Sequence, residues 1–323
     1  GPLGAKGFAF LNMLQLIGWT SIMIYDAMLA LQELAPLSPI IWTIAIGALV
    51  ILWLFIGLHN TGYIQAIVSV LLLGLTLYMG AHMISQWPNE GIILTSGSMS
   101  FIAALELSIA MPLSWLPLIS DYTRESKKPF SASLTSATVY TVTSIVMYTL
   151  GLSAAIFGGG DSIITIMMNA GLGLAGLIVI IFSTVTTTFM DAYSAGVSST
   201  TIYNSASSKG IAVIVTIIGT IAAILYPMDD ITDFLYLIGS VFAPMIAILL
   251  ADYFINRQQV QTLSAYLVRG LIWAVSVGLY HYMLHSESTI GATLPAFTMA
   301  FVVTAIVGFI SHTENSSVEI KQH

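Results

Sequence analysis

One stretch of the chain combines hydroxyl groups with a carboxylate inside a long apolar segment. It reads STVTTTFMDAYSAG and begins at Ser183. Ser183, Thr186 and Thr187 follow i, i+3, i+4 spacing, which places their hydroxyls on one face of a helix. Hydroxyl oxygens suit a hard cation such as sodium, but they also hydrogen-bond to neighbouring helices or to the preceding turn. The spacing leaves both interpretations open. Asp191 follows one turn later, and a carboxylate in such a segment indicates a functional site, with a hydrogen bond to a neighbouring helix for structure as the alternative.

A second apolar segment, FIAALELSIAMPLSWLPLISDYTR, contains Glu106. This carboxylate is either functional or hydrogen-bonded to a neighbouring helix for structure. Pro112 and Pro117 each remove a backbone donor, so we expect an irregular helix centre. Such an interrupted segment indicates a binding site, with a simple packing kink as the alternative. Asp252, near Arg257 at the end of another segment, is interpreted as a structural or interfacial residue.

A third pattern is the stripe formed by Gln15, Trp19, Met23 and Asp26 at spacings of four, four and three. An indole in mid-segment can stack on a flat heterocycle. Plain packing explains Trp19 equally well when this segment is read alone. Asp26 lies toward the end of the segment, and a functional and a structural role are equally favoured for it.

The elements that carry these residues are membrane-spanning helices. Of the 323 residues, 57% are hydrophobic and only 7% are charged, whereas a soluble domain has about 25% charged residues. The chain is therefore an integral membrane protein. Cysteine is absent, which excludes disulfides, thiolate metal sites and cysteine nucleophiles.

Ten segments approach the roughly 20 apolar residues that a transmembrane helix needs. Their approximate ranges are 8–31, 38–58, 62–86, 99–119, 131–157, 171–200, 210–226, 231–254, 262–284 and 290–311. Residues 162–170 are predicted to form a short interfacial helix. Barrel strands would be half as long, so the sequence predicts an all-α bundle.

Lys and Arg predict the orientation. With ten alternating spans, all eight basic residues fall on one side, which we assign to the cytoplasm: Lys6, Arg124, Lys127, Lys128, Lys209, Arg257, Arg269 and Lys321. The opposite side carries Glu33, Glu90, Asp161, Asp229, Asp230 and Glu287. We therefore expect a multi-pass protein of the cell (plasma or inner) membrane with both ends of this sequence cytoplasmic, including the tail at 312–323.

Four stretches together resemble nucleobase:cation symporter family 1, whose members transport cytosine, purines and hydantoins. They are NMLQLIGWTSIMI (12–24), SWLPLISDYTR (114–124), GSVFAPMIAILLADYF (239–254) and the stretch at 183–196. Within the family, ELSIAMPLSWLPLISDYTR and TTTFMDAYSAG are most similar to the branch of hydroxymethylpyrimidine (thiamine-precursor) transporters. The resemblance runs along the whole chain.

The resemblance implies a leucine-transporter-type bundle of twelve helices, with five-plus-five inverted repeats and two added helices. The ten spans would be helices 3–12 of a single transporter domain over 1–323, with the first two helices missing. GPLGAKGFAF would then be the loop before the third helix; alternatively, GPLG is a cloning remnant.

The resemblance also implies site residues. Trp19 matches a stacking tryptophan, and Met23 stands where some relatives have an amide. Met111 and Pro112 fall on a substrate-facing pair, with Trp115 one turn further on.

On the span that contains the opening stretch, Thr186 and Thr187 match sodium ligands, with Ser183 one turn before. Asp191 replaces an asparagine. A carboxyl group there, or that of Glu106, can accept a hydrogen bond from an aminopyrimidine amine and, when protonated, donate to the adjacent ring nitrogen. It could instead carry a proton as the coupling ion.

The expected function is cation-coupled import of a pyrimidine-type heterocycle by alternating access, with hydroxymethylpyrimidine favoured. The alternatives are cytosine, purines or other nucleobases and, more distantly, amino acids or amines on the same fold, or a receptor or scaffold without transport activity. We expect no enzymatic activity and no cofactor other than Na⁺ or H⁺ as coupling ion. The expected partners are the heterocycle and the lipid bilayer, with no nucleic acid and no obligate protein partner.

Overall fold

The computed structural model describes residues 1–34, 36–56, 58–85, 99–123, 126–157, 171–257, 262–286 and 288–320. Within these residues, ten helices are long and apolar enough to cross a membrane, which confirms the ten predicted spans. They are α1 (Pro2–Leu34), α2 (Pro39–Ile56), α3 (Leu58–Ser85), α4 (Phe101–Thr123), α5 (Pro129–Phe157), α6 (Gly173–Ile202), α7 (Ser208–Leu225), α8 (Ile231–Leu250), α9 (Leu263–His285) and α10 (Thr293–Ile320).

Some predictions fall outside the described residues. The short helix predicted over 162–170 is one of them. The same holds for five charged residues used to predict the orientation: Glu90, Arg124, Asp161, Glu287 and Lys321. The orientation of the chain in the membrane stays a prediction.

Several helices begin at local start signals in the sequence. Pro39 and Pro129 are the first residues of α2 and α5, where a missing N–H costs nothing because the first turn has no intrahelical acceptor for it. Asp230, Ser207 and Thr262 precede α8, α7 and α9, and each side chain accepts a hydrogen bond from a backbone N–H of the first turn. These caps set the helix starts independently of tertiary packing.

The backbone differs from the prediction in two places. Residues 2–7, expected as a loop before the first span, are helical and belong to α1. α4 is continuous through Pro112 and Pro117, so the irregular centre predicted for this span is wrong. Each proline removes one hydrogen bond, and the remaining bonds of this 23-residue helix hold it together.

Irregular helical structure occurs instead at the end of α8. Ala251–Asn256 form a π-helical turn, and Arg257 ends it with left-handed backbone at φ 49°. Asp252 in this turn forms a two-pronged ion pair with Arg269 of α9, with O–N distances of 2.6 and 2.7 Å. Asn256 donates to the same carboxylate at 2.8 Å. These contacts support the structural interpretation of Asp252, with Arg269 rather than Arg257 as its partner.

The chain divides into two compact units. Unit 1 comprises Gly1–Leu11, Gly97–Pro117 and Asp230–His323, and unit 2 comprises Asn12–Ser96 and Leu118–Asp229. Unit 1 therefore contains most of α4 and all of α8, α9 and α10. Unit 2 contains most of α1 and all of α2, α3, α5, α6 and α7.

In unit 2, small residues allow the helices to approach closely. α6 packs along α7, and α2 packs on both. Gly219 of α7 lies against Thr20 of α1, where an added Cβ would lie 2.7 Å from Thr20 Cγ2. The apolar core of these four helices includes Ile24, Ile46 and Leu177. Close backbone approach through glycine is typical of helix packing in membranes.

In unit 1, α10 packs against both α8 and α9. Tyr280 of α9 is completely buried, and its hydroxyl would lie 2.8 Å from a Cβ added at Gly239 of α8. Ala247, Ile272 and Ala300 form an apolar cluster between the three helices. This packing defines the frame against which the start of α10 is placed.

Candidate functional site

The predicted stripe of α1 is graded in exposure. Gln15 is buried, Trp19 and Met23 are half-buried, and Asp26 is exposed. All four belong to unit 2. The middle of the stripe therefore presents an indole and a thioether that retain accessible surface for a ligand.

A polar network that the sequence analysis missed joins α1 to α6. Gln15 Nε2 donates to Asn12 Oδ1 at 2.7 Å, and Asn12 Nδ2 donates to Ser198 Oγ at 2.9 Å. Asn12 is 2% exposed. The sequence signal for the bond between Asn12 and Gln15 was the presence of two amide side chains three residues apart in an apolar span. Ser198 carries no such signal, because it is 186 residues away in sequence.

The hydroxyl cluster of α6 has the geometry that its spacing predicts. Thr186 and Thr187 both donate to the backbone carbonyl of Ser183, at 3.0 and 2.8 Å. Thr186 is 8% exposed, Ser183 is half-buried and Thr187 is exposed. Because each threonine proton is used in its bond to the carbonyl, the hydroxyl lone pairs stay free to coordinate a cation. Back-bonding and cation binding are thus compatible, and the sodium role stays a prediction.

Asp191 differs from its neighbours on α6 in having no partner among the residues that the structure describes. Its side chain is half-buried, and within the described part of the chain no group donates a hydrogen bond to its carboxylate or forms an ion pair with it. The adjacent Met190 is contacted through its sulfur by Gln65 of α3 at 3.9 Å. A carboxylate at membrane depth normally pairs with another group, so Asp191 has its full hydrogen-bonding capacity for a ligand or a proton.

The predicted substrate-facing residues of α4 lie in unit 1. Met111 and Trp115 are half-buried, and Pro112 is exposed. Because α4 is a regular helix here, these three residues occupy one side of it.

Glu106, also on α4, is 5% exposed and fully hydrogen-bonded. Its Oε1 accepts from the backbone N–H groups of Ala292 and Thr293, both at 3.1 Å. Its Oε2 accepts from the N–H of Thr293 at 2.9 Å and from the hydroxyl of the same residue. These donors form the N-terminus of α10, where the helix dipole favours negative charge. The structural interpretation of Glu106 therefore has direct geometric support, while a substrate contact stays a prediction.

The predicted site residues thus fall into two sets. Unit 2 offers an aromatic face, a hydroxyl face and a carboxylate that no described residue engages. These groups can stack on a ring, coordinate a cation and hydrogen-bond to a polar edge. Its members are Trp19, Met23, Ser183, Thr186, Thr187 and Asp191, whereas Glu106, Met111, Pro112 and Trp115 belong to unit 1. Among the described residues, no cluster of three or more His, Asp or Glu side chains could hold a metal ion.

A sequence profile of the family described as "Permease for cytosine/purines, uracil, thiamine, allantoin" matches residues 7–320. This match covers nearly the whole chain. The chain belongs to this permease family. Membership confirms the expectation of a transporter-type protein rather than an enzyme.

Among characterised members of the permease family, the chain is similar to cytosine permeases of Escherichia coli. The similarity to the protein of strain K12, and to those of strains O6:H1 and O157:H7, is 25% identity over 191 residues. The matched stretch is 58% of this chain and 45% of each permease. The chain thus spans a little less than half the length of these relatives.

A solved structure shows the fold. The chain resembles Mhp1, a nucleobase-cation-symport-1 family transporter, in a closed conformation with bromovinylhydantoin bound. The TM-score is 0.74 at 15% identity, over 97% of this chain and 79% of Mhp1. This similarity confirms the predicted fold class, the leucine-transporter-type helical bundle.

Proposed function

We propose that the complete protein is a cation-coupled importer of aminopyrimidines, with hydroxymethylpyrimidine as the first candidate substrate. The observation that carries this proposal is the half-buried carboxylate of Asp191, which no described residue engages. It lies one turn beyond the hydroxyl face of α6, in a chain of the permease family.

The chemistry of an aminopyrimidine edge matches this carboxyl group. Such a ring presents an exocyclic amine beside a ring nitrogen, so it offers a donor next to an acceptor. A protonated carboxyl group offers the complementary acceptor and donor. The half-buried Trp19 of the same unit supplies an aromatic face for stacking, and Met23 supplies apolar contact.

The coupling cation is proposed to bind at Ser183, Thr186 and Thr187 if it is sodium, or to be a proton carried by Asp191. The hydroxyl oxygens of Thr186 and Thr187 keep their lone pairs because their protons are donated to the Ser183 carbonyl. A gradient drives uptake only when cation and substrate each bind better in the presence of the other. Alternating access of the bundle then releases both on the inside.

A second candidate substrate is cytosine, which the similarity to cytosine permeases favours. Cytosine and hydroxymethylpyrimidine share the amine next to a ring nitrogen. The two candidates therefore use the same recognition chemistry, and an analogue that lacks the amine tests it.

Competition for uptake tests the proposal. Cells that lack their own pyrimidine permeases would express the complete protein and take up labelled hydroxymethylpyrimidine in the presence of unlabelled cytosine or of a hydroxymethylpyrimidine analogue in which hydrogen replaces the amine. We expect the analogue to compete at least about tenfold less well than the aminopyrimidines, because the missing amine leaves a carboxyl oxygen without a hydrogen bond. Equal competition by the analogue would show that the carboxyl group does not bind the amine. Stronger binding of cytosine than of hydroxymethylpyrimidine would assign cytosine as the substrate.

A further inference from the structure

α4 presents two opposite faces within unit 1. Successive residues of a helix are about 100° apart around its axis. Met111, Pro112 and Trp115 therefore lie between about 120° and 180° away from Glu106. Burial agrees with this geometry, since Glu106 and Ala110 are buried and Pro112 is exposed.

The Glu106 face is fixed to α10 by contacts that leave little freedom. Both carboxylate oxygens are occupied by donors from Thr293, the first residue of α10, and from Ala292 directly before it. Gly291 precedes them with φ +77°, and a Cβ on it would overlap the Glu106 carboxylate. Only glycine combines this backbone conformation with this close approach.

The geometry points to Glu106 as a positioning residue. By holding the N-terminus of α10, it fixes the rotation of α4 about its own axis and thereby the direction of the face that carries Met111 and Trp115. This role rests on the proposed function and on the expectation from the family resemblance that Met111 and Pro112 face the substrate. In this role both oxygens of Glu106 are occupied, so Glu106 does not hydrogen-bond to the aminopyrimidine edge.

Two substitutions on different helices test the role in transport. Glu106→Gln changes α4 and weakens the hydrogen bonds between residue 106 and the start of α10. Gly291→Ala disturbs the same hydrogen bonds from the α10 side and leaves α4 unaltered. We expect each to reduce uptake at least about fivefold, by the same factor for hydroxymethylpyrimidine and cytosine. The double variant is expected to lose little more than either single variant, because both break one interaction. Thr293→Val, which removes only the hydroxyl donor, serves as the milder variant should either of these fail to fold.

Direct substrate contact predicts a different pattern. If Glu106 touched the ring edge, Glu106→Gln would change the preference among cytosine, hydroxymethylpyrimidine and uracil, and Gly291→Ala would not. The positioning role would also be overturned if the loss of uptake in the double variant equalled the product of the losses in the two single variants.

A labelling measurement separates this inference from the proposed function. These 323 residues contain no cysteine, so Ser108→Cys on the exposed face of α4 introduces the one reactive thiol among them. In purified protein below its unfolding temperature, Glu106→Gln should change the alkylation rate of that thiol at least about threefold. A thiol at the exposed Ser264 of α9 should react at an unchanged rate. An unchanged rate at position 108 would contradict the positioning role, whether or not the protein transports pyrimidines.

Discussion

Asp191 and Glu106 are both carboxylates at membrane depth, and their surroundings give them different chemistry. Glu106 receives hydrogen bonds on both oxygens from the start of α10, whereas no described residue donates to Asp191. Hydrogen bonds from N–H groups stabilise the charged form of a carboxylate. Sequence reasoning identified both as candidates but could not separate them, because the partners of Glu106 lie 186 and 187 residues away.

Substitution of Asp191 tests its assignment as the substrate contact. Asp191→Leu removes both hydrogen-bonding atoms at similar volume, so the affinity for an aminopyrimidine should fall by roughly five- to 150-fold, corresponding to about 1–3 kcal/mol. Asp191→Asn keeps one donor beside one acceptor and should lose less. Equilibrium binding to the purified complete protein measures both effects. Asp229→Leu, at an exposed loop position, is the matched control, and equal affinities for Asp191→Leu and this control would exclude Asp191 from the site.

At the scale of elements, local sequence patterns were sufficient where local geometry decides the outcome. Helical periodicity alone places Thr186 and Thr187 side by side on α6, and their bonds to one carbonyl agree with this placement and show the back-bonding that the sequence had left open. The centre of α4 was predicted wrongly, because proline weakens a helix locally while the hydrogen bonds of the flanking turns decide whether it breaks. The ion pair between Asp252 and Arg269 could not be predicted from the sequence. It depends on the packing of α9 against the end of α8, and residue spacing within one helix does not indicate that packing.

Three threonines of α6 allow a controlled test of the cation face. Thr186→Val and Thr187→Val each remove one candidate ligand oxygen and should raise the sodium concentration for half-maximal uptake by about tenfold. Thr188→Val is the control, because Thr188 is completely buried and bonds to the carbonyl of Thr184 instead. Uptake that depends on sodium but responds equally to all three substitutions would place the sodium site elsewhere.

At the scale of the whole molecule, composition and segment lengths were enough to predict ten membrane-spanning helices in an all-α bundle, and the resemblance of four stretches to the symporter family implied the leucine-transporter-type fold. The family profile over residues 7–320 and the similarity to Mhp1 agree with that prediction. Hydropathy works at this scale because a bilayer forces every spanning segment to satisfy its backbone internally. The contacts between helices, such as Asn12 with Ser198, depend on which faces meet, and a single sequence does not contain that information.

The central claim is that cation and aminopyrimidine move together. Proteoliposomes containing the complete purified protein would be given an inward gradient of sodium or, separately, of protons, together with labelled hydroxymethylpyrimidine or cytosine. We predict accumulation above the external concentration under at least one of these gradients, and its loss when that gradient is collapsed by an ionophore. Substrate that only equilibrates across the membrane under both gradients would contradict cation-coupled import.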